Sequence, residues 1–251
     1  MYLDKNRVTP VLKKLATFEN ELGNLFSSFN LELRENTGRR NMLLSQAQEV
    51  FFAESIASSG FDVSCSGKTG EPDIVINCIG KELECKLTSS ESRSWPLQCD
   101  YATIVRKGSL DFLYVLSDRD FSNFAVLFFE DLSSSDFHFP APGSRQKSRM
   151  NKASAMEKCT VLHGAVQKKN QRHIEKYTAM IAEESEKNIQ RIDELNQRIQ
   201  LTKSERKKYK ISKMIDNEST RFQKKKEKLS EKIRYWNSVV DHYEISLEPI
   251  R

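Results

Sequence analysis

The chain has 251 residues, 38% of them hydrophobic and 30% charged, with a formal net charge of +5. That length supports one sizeable core, or one core with an appendage, and the polarity points to long solvated helix beside the compact part. No window approaches the roughly 18 uninterrupted apolar residues of a membrane span, and MYLDKNRVTP lacks the apolar stretch of a signal peptide. Cys65, Cys78, Cys85, Cys99 and Cys159 are odd in number and form no CxxC pair, so they read as reduced cytosolic thiols rather than a disulfide frame or zinc site. The four histidines are scattered without ligand spacing.

Charge is unevenly spread. Residues 167–234 hold 20 Lys+Arg against 11 Asp+Glu, a surplus of +9, which leaves −4 for the remainder of a +5 chain. A positive segment beside an acidic one hints at a polyanion partner. Glycine and proline divide the chain at the same place. All nine glycines lie at or before Gly164, and residues 165–248 contain neither breaker.

In chain order, Val11, Leu15, Phe18, Leu22, Leu25 and Phe29 predict a helix over about Pro10–Asn30. A second, about Asn41–Ser58, carries Leu44, Ala47, Val50, Phe51 and Ala57 and stops before Gly60. Short β-rich runs follow at Phe61–Ser66, Asp73–Ile79 and Glu82–Thr88, then a helical stretch near Pro96–Lys107. Strands at Leu110–Leu116 and Phe124–Phe129 complete an α/β domain with a mixed sheet. The segment Ser133–Gly164 is less regular and crowds Arg145, Lys147, Arg149 and Lys152 into GSRQKSRMNK. These side chains suit a phosphate clamp, with a solvated loop as the alternative.

Beyond Gly164, Ile174, Ile181, Asn188 and Leu195 recur every seven residues, and a second series runs Ile211, Ile215, Phe222, Leu229, Trp236, Val240 and Tyr243. Steps of three and four are a coiled-coil pattern. KSERKKYK at 203–210 interrupts it, which favours a folded-back hairpin over one continuous rod. Its KKYK run and the later QKKKEK run form either a solvated face or a DNA contact.

The chemistry concentrates in GEPDIVINCIGKELECKLTSS. Gly80-Lys81 fits a two-residue turn. Glu84 and Lys86 then share one face of a strand whose Leu83, Cys85 and Leu87 turn to the core. A Glu-x-Lys face with a second acid nearby matches metal-assisted phosphodiester hydrolysis. Two carboxylates hold Mg²⁺, which activates the attacking water, and a lysine steadies developing charge. The simple register sets Asp73 opposite Thr88 and Glu84 opposite Asn77. That separates the acids by about 13 Å at roughly 3.3 Å per residue, so a bulge or strong twist is expected to bring them together.

Pro72-Asp73, ten residues, then Glu84-Cys85-Lys86 resembles the motif of the PD-(D/E)XK nucleases, a family that includes type II restriction endonucleases. The resemblance covers about residues 40–130 and stops short of the helical third. It implies an αβββαβ core, Asp73 and Glu84 as metal ligands, and Lys86 as the residue that positions water. It also implies an acid on the preceding helix, Glu49 or Glu54, with Glu49 the candidate third ligand. Gln98 and Tyr101 would lie on the following helix, with Gln98 near DNA. Mg²⁺ is the implied cofactor, with Mn²⁺ able to substitute, and double-stranded DNA is the implied substrate. A homodimer, a cognate methyltransferase in the same system and a cytoplasmic setting in a prokaryote or phage follow from the same likeness. The expected organisation is an N-terminal helix over 1–38, a nuclease domain over 39–164 with the basic loop, and a helical arm over 165–251 that takes part in dimerisation. The rival readings are a repair or phage nuclease that reads DNA structure, and a non-catalytic coiled-coil DNA-binding scaffold.

Overall fold

The first helix, α1 (Lys5–Ser28), starts where the Asp4 carboxylate accepts the Arg7 amide, and it turns Val8, Val11, Leu12 and Leu15 inward. Asn36 caps α2 (Thr37–Ala57) in the same way, and Arg40, Leu44, Gln48, Phe52 and Ile56 make its buried ladder at four-residue steps. A computed structural model describes residues 2–65, 71–89, 95, 97–143, 147–238 and 243–250. It divides the chain into two units, residues 1–166 with 243–251, and residues 167–242. The N-terminal helix is therefore no separate domain, because its apolar face is part of the first unit's core.

The strands are β1 (Val63–Ser64), β2 (Ile74–Ile76), β3 (Lys81–Ser89), β4 (Gln98–Asp100), β5 (Ser109–Ser117), β6 (Asn123–Ser133), β7 (Lys147–Arg149), β8 (Cys159–His163), β9 (Ala165–Lys168), β10 (Tyr243–Ser246) and β11 (Glu248–Pro249). Helix α3 (Tyr101–Lys107) connects β4 to β5, and the single turn α4 (Lys152–Ala155) follows β7. The main sheet runs β1-β2-β3-β5-β6-β11, with β8 also on β6. Only β3 and β5 are parallel among its registered pairs, so the fold is α/β with a mixed sheet.

β5 lies at the centre, buried on both faces from Leu110 to Ser117, as a strand covered on two sides must be. Leu113 and Val115 face the α1–α2 layer with Leu12, Leu44 and Phe52. Phe112, Tyr114 and Leu116 face the opposite core, with Trp95, Ile104 and Phe137. Trp95 is an anchor there, and its Nε1 donates to the Ile245 carbonyl at 3.3 Å.

Several sequence expectations need correction. The helix expected from Pro96 begins at Tyr101, after a short strand. The arm stops at Ser238 rather than running to the C-terminus, because residues 243–250 return as β10 on β9 and β11 on β6. Tyr243, counted in the helical seam, lies in β10, and Val240 falls outside the described residues.

The second unit is a hairpin of α5 (Lys169–Leu201) and α6 (Glu205–Ser238), turning at Thr202–Ser204. Its helices are antiparallel: Glu184 pairs with Lys225 at 2.7 Å, Arg191 with Glu218 at 3.3 Å, and the His173 ring stacks on Trp236 with centroids 3.9 Å apart. Leu195, Ile211 and Leu229 are its most buried seam residues. No described helix is long and apolar enough to cross a membrane.

Gly164 sits where β8 gives way to β9. Its φ is +76°, and an added Cβ would meet the Ser246 carbonyl oxygen at 2.6 Å and the Ala125 Cβ at 2.9 Å. Gly164→Ala is expected to cost about 1–3 kcal/mol from overpacking beyond the strain of a left-handed residue. Urea unfolding beside Gly108→Ala, where φ is +83° and nothing lies within 4 Å, measures the difference. Equal losses would assign the whole cost to backbone strain.

Candidate functional site

The site begins with a turn. Between β2 and β3, Asn77–Ile79 form a 3-10 turn and Gly80 follows in the left-handed region at φ 63°. Only glycine adopts that conformation freely. The two-residue Gly80-Lys81 turn is thus corrected to a longer loop, and Lys81 already belongs to β3. The register becomes Ile76↔Lys81, Val75↔Glu82 and Ile74↔Leu83. One more step along it sets Asp73 beside Glu84, not opposite Thr88. No bulge is needed.

β2 starts at Ile74 while β3 continues to Ser89, so β2 leaves that edge of β3 unpaired from Glu84 onward. Asp73 takes over there: its Oδ2 accepts the Cys85 amide at 2.7 Å. A carboxylate thus stands where a strand carbonyl would otherwise bond, with its remaining lone pairs free for chemistry. Leu83 and Cys85 are buried in the α1–α2 core, which turns Glu84 and Lys86 to the other face. Lys86 Nζ contacts Glu84 Oε1 at 2.5 Å. The second Glu84 oxygen, Oε2, is buried and accepts no hydrogen bond from the described residues.

Helix α2 supplies Glu49. An open cleft of about 450 Å³ between α2 and β3 is lined by Glu49, Asp73 and Lys86, with Asn41, Ser45 and Thr88 among its polar walls. Burial, then the Asp73 charge, pushes the Glu49 carboxyl up to about 7, with Glu84 adding to the shift and Lys86 opposing it. Burial and then Glu84 push Asp73 up to about 6, against Lys86 and the Cys85 amide. Burial alone would lower the Lys86 ammonium, but the charge and hydrogen bond of Glu84, with Asp73, hold it above the ordinary lysine value. Glu54, the other helical candidate, is turned away and donated to by Lys14 at 2.6 Å.

Asp73 and Glu84 fit a hard divalent cation. Both are oxygen donors, burial and then the Glu84 charge raise the Asp73 carboxyl, and Glu84 Oε2 is a buried oxygen with no proton donor among the described residues. Among the described residues, however, no group of three His, Cys, Asp or Glu is assembled to hold an ion. The expected ligand trio is corrected accordingly: Glu49 lines the cleft from α2 but does not join Asp73 and Glu84 in one cluster.

The expected DNA contacts divide. Gln98 opens β4, not a helix, and β4 pairs with β7 in the register Gln98↔Arg149, Cys99↔Ser148, Asp100↔Lys147. Lys147 and Arg149 are exposed on that ribbon while Ser148 between them is buried, donating to the His138 carbonyl. The basic loop is therefore in part a strand. Arg145 lies outside the described residues. Lys152 opens α4, half-buried, and burial holds its ammonium below the usual lysine value. The ribbon reaches the site strand through Tyr114, whose hydroxyl donates to the Gln98 carbonyl at 2.9 Å and which pairs with Lys86 in the β3–β5 register. Tyr101 is the first residue of α3, its ring edge-on to Phe139.

Sequence reasoning missed the wall behind the cleft. Arg40 is fully buried, and its Nη2 donates at 2.8 Å to Ser89 Oγ, which is 2.6 Å from Ser117 Oγ. The signal was present: the ladder Leu44, Gln48, Phe52, Ile56 extends back by one four-residue step to Arg40. The chain matches no family model and no curated protein.

Raised carboxyl pKa values give a pH test with a definite sign. Below about pH 4, both folded and unfolded chains hold these protons. As pH rises toward 7, the unfolded chain releases them first, so the Glu49 carboxyl draws stability out of the fold. Glu49→Gln should therefore gain stability relative to the parent between pH 5 and 8 without divalent metal. Thermal melts at both pH values check this, and a constant difference would mean Glu49 titrates normally.

Proposed function

We propose that the chain is a Mg²⁺-dependent endonuclease of double-stranded DNA, of the type II restriction class within the PD-(D/E)XK nucleases. The observation that carries the reading is the meeting of Asp73 with Glu84-Cys85-Lys86 at the open edge of β3. Further support comes from element order: with the short β4 of the separate β4–β7 ribbon set aside, α2, β1, β2, β3, α3 and β5, with β3 parallel to β5, is the succession the resemblance implies.

Asp73 and Glu84 would hold the metal, through the oxygens not engaged by the Cys85 amide and Lys86. When bound, Mg²⁺ supplies Lewis-acid polarisation of the phosphate and lowers the pKa of its water. Lys86 sits beside both carboxylates, where an ammonium can orient the attacking water and offset charge building on the phosphate oxygens. Glu49, across the cleft and titrating near neutrality, is suited to exchange a proton with water in that space. Lys147, Arg149 and Lys152 would contact the backbone, which fixes position without reading sequence. Cutting both strands calls for two such centres, hence a twofold homodimer, and Mn²⁺ should replace Mg²⁺. A restriction enzyme would also share its host with a methyltransferase.

Cleavage of supercoiled and phage DNA with Mg²⁺ or EDTA tests this directly. Asp73→Ala and Glu84→Ala should abolish cleavage, and Lys86→Ala should slow it by about 10²–10³-fold with DNA affinity little changed. More than a few per cent of the parent rate in either acid variant would remove the pair from the centre. Equal losses of rate and affinity would make Lys86 a phosphate anchor instead.

A further inference from the structure

On α6, six basic residues fall into one line. Arg206, Lys210, Lys213, Arg221, Lys224 and Lys228 are spaced by three or four, or by eight across Asn217, which fills the remaining position of the line. At about 100° per residue they occupy an arc of about 80°, and they span about 33 Å at 1.5 Å per residue. All six are exposed. The apolar seam of α6, with Ile211, Phe222 and Leu229, points elsewhere and packs on α5.

Little of this line is neutralised among the described residues: only Arg221 acts on an acid of α5, Glu184, and there it adds to the larger effects of Lys225 and Lys187. Ion pairs of the arm among the described residues include Lys187–Glu183, Arg191–Glu218, Lys208–Glu205 and Lys225–Glu184, and none of these uses the six. Among the described residues, none of them has a carboxylate within 4 Å. Like charges at three- and four-residue spacing destabilise a helix. The arrangement thus costs stability that the Lys213–Tyr209 contact and the Arg221–Glu184 attraction offset only in part.

We infer that this stripe is a binding surface for the sugar–phosphate backbone of duplex DNA, held independently of the catalytic centre. A straight, rigid row of cations matches a straight, rigid polyanion, and a duplex presents a phosphate about every 1.7 Å along its axis. Single strands are gripped by aromatic side chains interleaved with the charge. No aromatic residue interrupts this line, and Tyr209 beside it, though exposed, has Lys213 Nζ over its ring at 5.6 Å. A membrane surface would need apolar residues along the same face, and the line has none. Only the choice of DNA as the duplex rests on the nuclease reading. The charge pattern stands without it.

The test uses the full chain in EDTA and a fluorescent 30-base-pair DNA duplex, with anisotropy followed across salt concentrations. The variant Lys210→Gln, Arg221→Gln, Lys224→Gln is compared with Lys176→Gln, Lys226→Gln, Arg234→Gln, which removes the same charge away from the line. Glutamine keeps helix propensity high, and far-UV circular dichroism verifies that both variants fold. The stripe variant should bind at least tenfold more weakly at 100 mM salt, and its log–log salt slope should fall by about 2–3 units. The control should change by less than one unit. Equal changes in the two variants would overturn the proposal, as would a greater effect on binding to phosphatidylserine vesicles than to the duplex. Cleavage by the parent chain is assayed separately with Mg²⁺, so a failure of the catalytic reading leaves the binding comparison standing.

Discussion

The separation of β2 from β3 is decided by four residues. Asn77, Cys78, Ile79 and Gly80 form the loop that sets Ile76 against Lys81. Because side chains alternate across a sheet and each step is roughly 3.3 Å, the loop length decides which residues can meet at all. With the loop as it is, Asp73 reaches the Cys85 amide and Glu84 stands next to it. The Asp73 bond from the Cys85 amide and the raised Asp73 carboxyl depend on this one register.

A second constraint holds the opposite wall. Arg40 is a guanidinium with no solvent exposure, lying 3.6 Å from Glu19 on α1 and 4.8 Å from the Phe121 ring. Glu19 in turn accepts two hydrogen bonds from Arg34, at 2.9 and 2.7 Å. Buried charge is expensive to desolvate and tolerable only when its geometry is well met. The knot therefore ties α1, α2, the end of β3 and the 118–121 turn into one arrangement. Glu49 is two and a half turns along α2 from Arg40, so its position over the cleft is set by the same tie.

The sequence was most legible where one physical signal dominated. β5 and β6 were readable because a strand buried on both faces is a continuous apolar run. α1 and α2 were readable from helical spacing. Glu84 and Lys86 stood out because charged side chains on one face of an otherwise apolar strand need a chemical reason, and Asp73 because of its spacing from them. The choice between Glu49 and Glu54 was not readable, since the two lie on different faces of α2 and only packing fixes its rotation. β4 and β7 are three residues each and rich in polar side chains, so their pairing depends on the rest of the domain being in place. β10 and β11 were hidden for a related reason: the apolar spacing of Trp236 and Tyr243 runs on across a change from helix to strand. The helical hairpin was favoured on the strength of the 203–210 charge patch, and its antiparallel ion pairs bear this out.

The hairpin lies between two strands that pair with one another, β9 and β10. The chain leaves the sheet and re-enters it at neighbouring points, so the sheet does not register how far the excursion travels. Its seam repeats every seven residues, and a matched insertion of seven in α5 and seven in α6 would keep every apolar residue facing its partner while lengthening the arm by about 10 Å. Insertions far from a whole number of turns, unlike those of seven or eleven residues, would rotate the two faces out of phase. Related chains should therefore vary in arm length in quantised steps, like notches on a ruler, while the spacing from Asp73 to Glu84 stays fixed.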